Sequence, residues 1–220
     1  MNAEERYRTA HHEAGHNVMA YLLGRPVGPV SIRPCEVHLG VSFHSKAKIP
    51  EQQLRQLGKP AILLPAQFRR ACETEAVICL AGPEAEDAAM TGSEGACYVN
   101  EHSLDHARTE ELVTALVQAG LTGEETVMLE RAEREQGYSD EERAYFWSET
   151  VGYGAPVVET FAHLSWLRIF TRNRVLSPRF QRLEYSLAPR LLEAEVLGGR
   201  AVRQILRAAD PKPPIRKGTS

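Results

Sequence analysis

The stretch "YRTAHHEAGHNVMAYLLGRP" constrains this chain more than any other part of it. Tyr7, Ala10, Ala14, Val18 and Tyr21 recur at helical spacing. Asn2 followed by Glu5 makes a capping-box start, and Gly24 followed by Pro26 makes a stop. The pattern predicts a helix over about residues 3–23. On that helix His12 and His16 are four residues, and so about 40°, apart around the axis, which lets both imidazoles project from one face at a separation suited to one zinc ion. Glu13 lies on the flank. A carboxylate there can act on water held by the ion without being a ligand, as in HExxH hydrolases that make hydroxide at neutral pH. The competing reading is an ordinary helix rich in histidine. With 8 His in 220 residues, chance places an HExxH in about three such chains in a hundred, and here the motif falls inside the amphipathic helix its geometry demands. His11 points to another face and is expected to be a packed or supporting histidine.

Bulk properties narrow the classes. A chain of 220 residues that is 43% hydrophobic can bury a core of its own. Lys+Arg 26 against Asp+Glu 29 leaves a formal net charge of -3, with no field to draw in nucleic acid or an anionic membrane. The longest apolar runs, "PAILLPA" and "AVICLAG", fall well short of the roughly 18 residues a spanning helix needs. The start "MNAEERYR" lacks the apolar core of a signal peptide, so the chain is expected in the cytoplasm. Cys35, Cys72, Cys79 and Cys97 show no CxxC pairing and read as reduced, mostly buried thiols.

Further along, "PVSIRP" and "EVHLGVSFHS" alternate with period two and predict a short antiparallel pair. Residues 61–90 read as helical, with breaks expected at Pro65 and at "AGPEAED", where Pro83 either kinks the helix or starts a new one. "TGSEGACYVNEH" reads as a loop. Residues 103–119 follow as a helix capped by Ser103, and the remainder is helical with connectors at "AGLTG", "EQGYS", "GYGAP" and "LSPR". The aromatics of "YFWSETVGYG" and "HLSWLRIF" fall at helical spacing and are expected in the core. The expected fold is α+β, mainly α: a zincin-like HExxH helix against a small antiparallel sheet, with a helical C-terminal half. A single domain is expected over 1–209, with the metal site in 1–119, a helical part over 120–209, and a polar, proline-rich tail, 210–220, too poor in apolar residues to pack.

The run "RTAHHEAGHNVMAYLLGRPVGPVSIRP" resembles the start of the FtsH-type zinc peptidase domain, whose pattern is HEAGH, an LLG helix end and a VSI-like strand. "LGVSFHS" is similar to that family's second strand, and "ICLAGPEAEDAAMTG" to its LAGRAAEE helix and following TG. These segments keep the family's order over about the first half of the chain. The resemblance implies a zinc endopeptidase whose third protein ligand is an Asp on a later helix, in a stretch like "SNDLxxA". The matching text here is "SLDHART", which nominates Asp105. Aspartate is confined to Asp87, Asp105, Asp140 and Asp210, and Asp105 stands at a helix start after a long loop; the plainer reading is an Asp that offsets the helix dipole. Glu101 is the rival ligand, because "NEHSLD" also resembles the thermolysin-type motif in which a Glu binds zinc and an Asp four residues on orients a histidine. His102 and His106 read as surface residues.

By the same resemblance Leu39, Gly40, Val41 and Ser42 form a strand edge for substrate, Gly40 allowing close approach; a plain hairpin is the alternative. His38, His44 and Tyr98 compete as oxyanion donors, none favoured by spacing. The departures are equally informative. Enzymes of the family carry an ATPase module with a GxxxxGK[ST] loop and a membrane anchor, and this sequence has neither. Pro83 stands where the family has Arg, and the loop from Thr91 to Ser103 is longer. The expectation is therefore an ATP-independent zinc metallopeptidase acting on flexible or unfolded polypeptides. It would need no nucleotide, nucleic acid or membrane, and whether it forms a homo-oligomer is left open. The alternative is a non-catalytic helical binding module whose metal site is structural or lost. Glu13 favours the first, since a purely structural zinc has no use for a base beside an open position.

Overall fold

The computed structural model describes residues 1–34, 39–45, 66–91, 139–151 and 157–210. Among these, six helices surround a small sheet: α1 (Ala3–Leu22), β1 (Val27–Ser31), β2 (Val41–His44), α2 (Ala66–Thr91), α3 (Asp140–Val151), α4 (Val157–Val175), α5 (Pro178–Ala194), β3 (Val196–Leu197) and α6 (Gly199–Ala209). The protein is mainly helical α+β, as the periodicities predict.

The N-terminal helix forms as its punctuation dictates. The Asn2 side chain accepts from the Glu5 N–H at 2.9 Å and the Glu5 carboxylate accepts from the Asn2 N–H at 2.8 Å, a reciprocal cap of the kind that stabilises a helix start by about 1 kcal/mol. Gly24, at φ 74, takes the left-handed turn that ends the helix. From Thr9 to Ala20 every residue except His12 is buried. A helix covered almost all round is a central element, and α1 packs against α2, α5 and the sheet. One apolar core joins Ala14 and Val18 of α1, Ile78 and Leu80 of α2, Leu183 and Leu187 of α5, and Val202 and Leu206 of α6.

The sheet has the order β2-β1-β3. β1 and β2 are antiparallel, pairing Val30 with Ser42 and Ser31 with Val41, with an irregularity before Val27 meets His44. β3 adds two residues to the other side of β1, opposite Val30 and Ser31. Helix α2, described from Ala66, runs through Pro83 without ending there, and the break expected at Pro65 lies outside the described residues. The connector "LSPR" behaves as read: Ser177 caps α5, whose first residue is Pro178.

The aromatics depart from expectation. Trp147 and Phe170 pack against the core, but Phe146, Phe161 and Trp166 are each more than half exposed. Thr160, Leu167, Thr171 and Val175 are the residues α4 buries among those whose burial is described. The helical period of "HLSWLRIF" identifies faces but not which one points inward, because both are apolar. Cys72 and Cys79 are in no disulfide, and burial pushes the Cys72 thiol up to about 12, where it is inert. No described helix is long and apolar enough to cross a membrane. The helix predicted over 103–119 and the tail from 211 onward lie outside the described residues.

Candidate metal centre

His12 and His16 project from α1 as the four-residue spacing requires, their rings 4.8 Å apart and nearly perpendicular. Facing them is Asp140, the first residue of α3. Its Oδ2 lies 2.9 Å from His12 Nε2 and 3.2 Å from His16 Nε2. Ser139 sets the start of α3: its N–H donates to Glu142 Oε2 at 2.7 Å, and its hydroxyl accepts from the Glu142 N–H at 3.2 Å. This second capping box fixes the turn that presents Asp140.

The remaining nitrogen of each histidine is also engaged. His12 Nδ1 donates to Glu86 Oε2 at 3.0 Å, and Glu86 is held in turn by Arg8, whose Nε reaches Oε1 at 2.7 Å. His16 Nδ1 donates to the Ile78 carbonyl at 2.7 Å. With Nδ1 donating in both rings, each Nε2 is directed at Asp140, the arrangement that presents a nitrogen lone pair to a metal.

The electrostatics ask for positive charge between these groups. Burial opposes a charge on His12, but hydrogen bonds to Asp140 and Glu86 outweigh it and carry the ring up to about 10. Burial likewise opposes charge on His16, and attraction to Asp140 raises it. Burial would raise Asp140, yet the two histidines hold it far below the usual carboxylate range. The hydrogen bond from His12 is the main cause that brings Glu86 down to about 2. A site that keeps protons on imidazoles against desolvation is one in which a divalent cation can take their place.

The donor set also fits in size and shape. Ligands 2.0–2.2 Å from a tetrahedral zinc stand about 3.3 Å from one another, near the two Nε2–Oδ2 distances, and one ligand atom from each of the three residues lies within 4.8 Å of the others. Gly82 on α2 forms the floor: a Cβ there would stand 2.3 Å from His16 Nε2 and 2.8 Å from His12 Nε2. Only a residue without a side chain leaves that space open. Two imidazoles and a carboxylate suit zinc, though other divalent transition ions take the same donors.

Glu13 lies beside this group and is buried. Burial is the largest cause that raises its carboxyl, with Asp140 adding to the effect; His12, His16 and a hydrogen bond from Ser42 oppose it. Of the strand residues read as a substrate edge, Gly40 and Ser42 meet Glu13 directly. A Cβ on Gly40 would come within 2.9 Å of Glu13 Oε1 and 2.7 Å of Thr9 Cγ2. Val41 is half-buried in β2, and Leu39 is exposed. His11 is remote in function from the pair: it is buried against Glu184 of α5, its ring 4.2 Å from that of Tyr7. His44 points away to Glu75, 3.1 Å distant.

Asp105 and its rival Glu101 lie outside the described residues, as do His38, Tyr98, His102 and His106. The carboxylate the structure brings to the histidines is Asp140, so the group draws on a residue beyond the 1–119 part expected to carry it. Glu86 was also not anticipated. A signal for Asp140 was present, since "SDEE" after the connector "EQGYS" has the S-x-x-E form of a helix start. Comparison with known proteins finds no family model that matches this chain and no curated protein similar to it in sequence.

Proposed function

We propose that this protein is a zinc-dependent metallopeptidase of the FtsH-like HExxH type, acting without ATP on flexible or unfolded polypeptides. The observation that carries the reading is the position of Asp140 Oδ2 within 3.2 Å of both motif imidazoles, with Glu13 buried beside them. His12, His16 and Asp140 would hold the ion. Zinc, when bound, supplies a Lewis acid that polarises a carbonyl and acidifies water.

The chain's own groups supply the rest. A carboxylate whose affinity for protons is raised by burial is better matched to proton transfer near neutral pH than an exposed one. Glu13 would accept the proton of the attacking water and return it to the leaving amine. Ser42 holds the Glu13 carboxylate through its hydroxyl. β2 is an edge strand among the described residues, so an extended peptide can pair with its backbone while passing Glu13 at Gly40.

Metal analysis and cleavage of casein or a fluorescent peptide, wild type against Glu13→Gln, test the reading. The expected result is bound zinc in both proteins and hydrolysis only by the wild type. A zinc-loaded wild type inert toward every unfolded substrate would instead support a binding module on a peptidase scaffold.

A further inference from the structure

Asp140 is the first residue of its helix, yet it must hold its carboxylate against two histidines on another helix. Its capping box orders the turn, and Ala144, one turn on, packs α3 into the core beside α2. A further tie, made by a side chain at the turn itself, comes from α4. Arg168 pairs through Nη2 with Glu141, the neighbour of Asp140, and through Nε with Glu84 Oε1 at 3.5 Å. Glu84 is 8% exposed and lies on α2 between Gly82, the floor under the histidines, and Glu86, the partner of His12. One guanidinium thus links the turn that carries Asp140 to the helix that supports His12 and His16.

Arg172, one turn further on, provides a natural contrast. It reaches the same Glu84, at 3.2 Å, and Asp87 at 3.0 Å. Both of its partners are on α2. Arg172 fastens α4 to α2, whereas Arg168 fastens α2 and α4 to α3.

We propose that Arg168 is a positioning residue for the metal centre, setting the reach of Asp140 to the two histidines by fixing the first turn of α3 against α2. The proposal rests on the metal-binding reading given above. Arg168 is the residue suited to this, since its planar fork can engage two carboxylates in different directions where a lysine offers a point charge. It is half exposed and solvent screens the pair, so its effect belongs at the lower end of the range for groups that orient metal ligands, about tenfold in affinity.

The test titrates Co2+ into the full chain, with visible absorption reporting both affinity and coordination. The proteins are wild type, Arg168→Ala, Arg168→Lys and Arg172→Ala, each checked for folding by circular dichroism and thermal melting. The expected result is a loss of about tenfold in Co2+ affinity for Arg168→Ala. Its absorption should also weaken as the Asp140 oxygen leaves a tetrahedral set, and Arg168→Lys should recover part of each. Arg172→Ala should melt earlier, as Arg168→Ala does, with affinity and spectrum unchanged. Equal affinities for wild type and Arg168→Ala, or an equal loss in Arg172→Ala, would overturn the positioning role while leaving the metal centre standing. A folded wild type that binds no Co2+ or Zn2+ would overturn both.

Discussion

Gly15, the fourth residue of the HEAGH motif, packs directly on the backbone of Ala81: a Cβ built on Gly15 would stand 2.6 Å from the Ala81 carbonyl oxygen and 2.6 Å from the Ala85 Cβ. The helix bearing the histidines therefore touches the helix that supports them main chain to main chain. This contact places the Ile78 carbonyl within reach of His16 and Glu86 within reach of His12. Gly15→Ala must push α1 and α2 apart. Overpacking of this kind costs about 1–3 kcal/mol, and we expect Tm to fall by several degrees, read by thermal melting, with metal affinity weakened as the histidine partners separate.

Gly82 predicts a different outcome. Its replacement by Ala puts a methyl group where both Nε2 atoms converge, while an Ala inside a helix is itself favourable by about 0.5–1 kcal/mol. We expect Gly82→Ala to fold, with Tm lowered only to the extent that the buried His16 ring must shift, but to lose zinc, measured by metal content after dialysis and by calorimetric titration. Full retention of zinc would place the ion elsewhere.

Glu86 and Arg8 form the support behind His12. Glu86→Ala leaves Nδ1 without an acceptor, and we expect zinc affinity to fall about 10- to 100-fold. Arg8→Ala should cost less, because Arg8 is half exposed and acts only through Glu86. Competition titration with a chelator of known affinity separates the two variants; an equal effect of both would contradict the order His12, Glu86, Arg8.

The site's protons give a pH prediction. His12 is carried up to about 10, so in the metal-free protein the charged ring adds stability that is fully present below its ordinary value of about 6.5 and is lost as pH rises through about 10. A metal ligand must be neutral. Zinc binding at neutral pH should therefore release protons and weaken as pH falls. Calorimetry in two buffers of different ionisation enthalpy measures this directly, and an apparent enthalpy independent of buffer would contradict it.

The parts of this fold written in local chemistry are legible in the sequence. Helix α1 has its cap, its period and its stop within one continuous stretch, and the β1–β2 hairpin shows in the alternation around Val30 and Val41. What escapes is long-range. β3 is two residues long, too short for any period, and exists because β1 has an open side; the Ile32 N–H finds the Glu195 carbonyl at 2.8 Å beside it. Asp140 stands more than 120 positions from the histidines it meets, and a capping box announces a helix start without saying what that start faces. Asp105, which the resemblance to a peptidase family nominates, lies outside the described residues. Phe161 and Trp166 fail for a third reason: a helix apolar on several faces does not disclose which is inward.

Crystals grown with zinc and measured on both sides of the zinc absorption edge test the central claim most directly. The account predicts one anomalous peak about 2.0–2.2 Å from His12 Nε2, His16 Nε2 and an Asp140 carboxylate oxygen. A peak held by the two histidines and a different carboxylate, such as Asp105 or Glu101, or no peak at these rings, would contradict it.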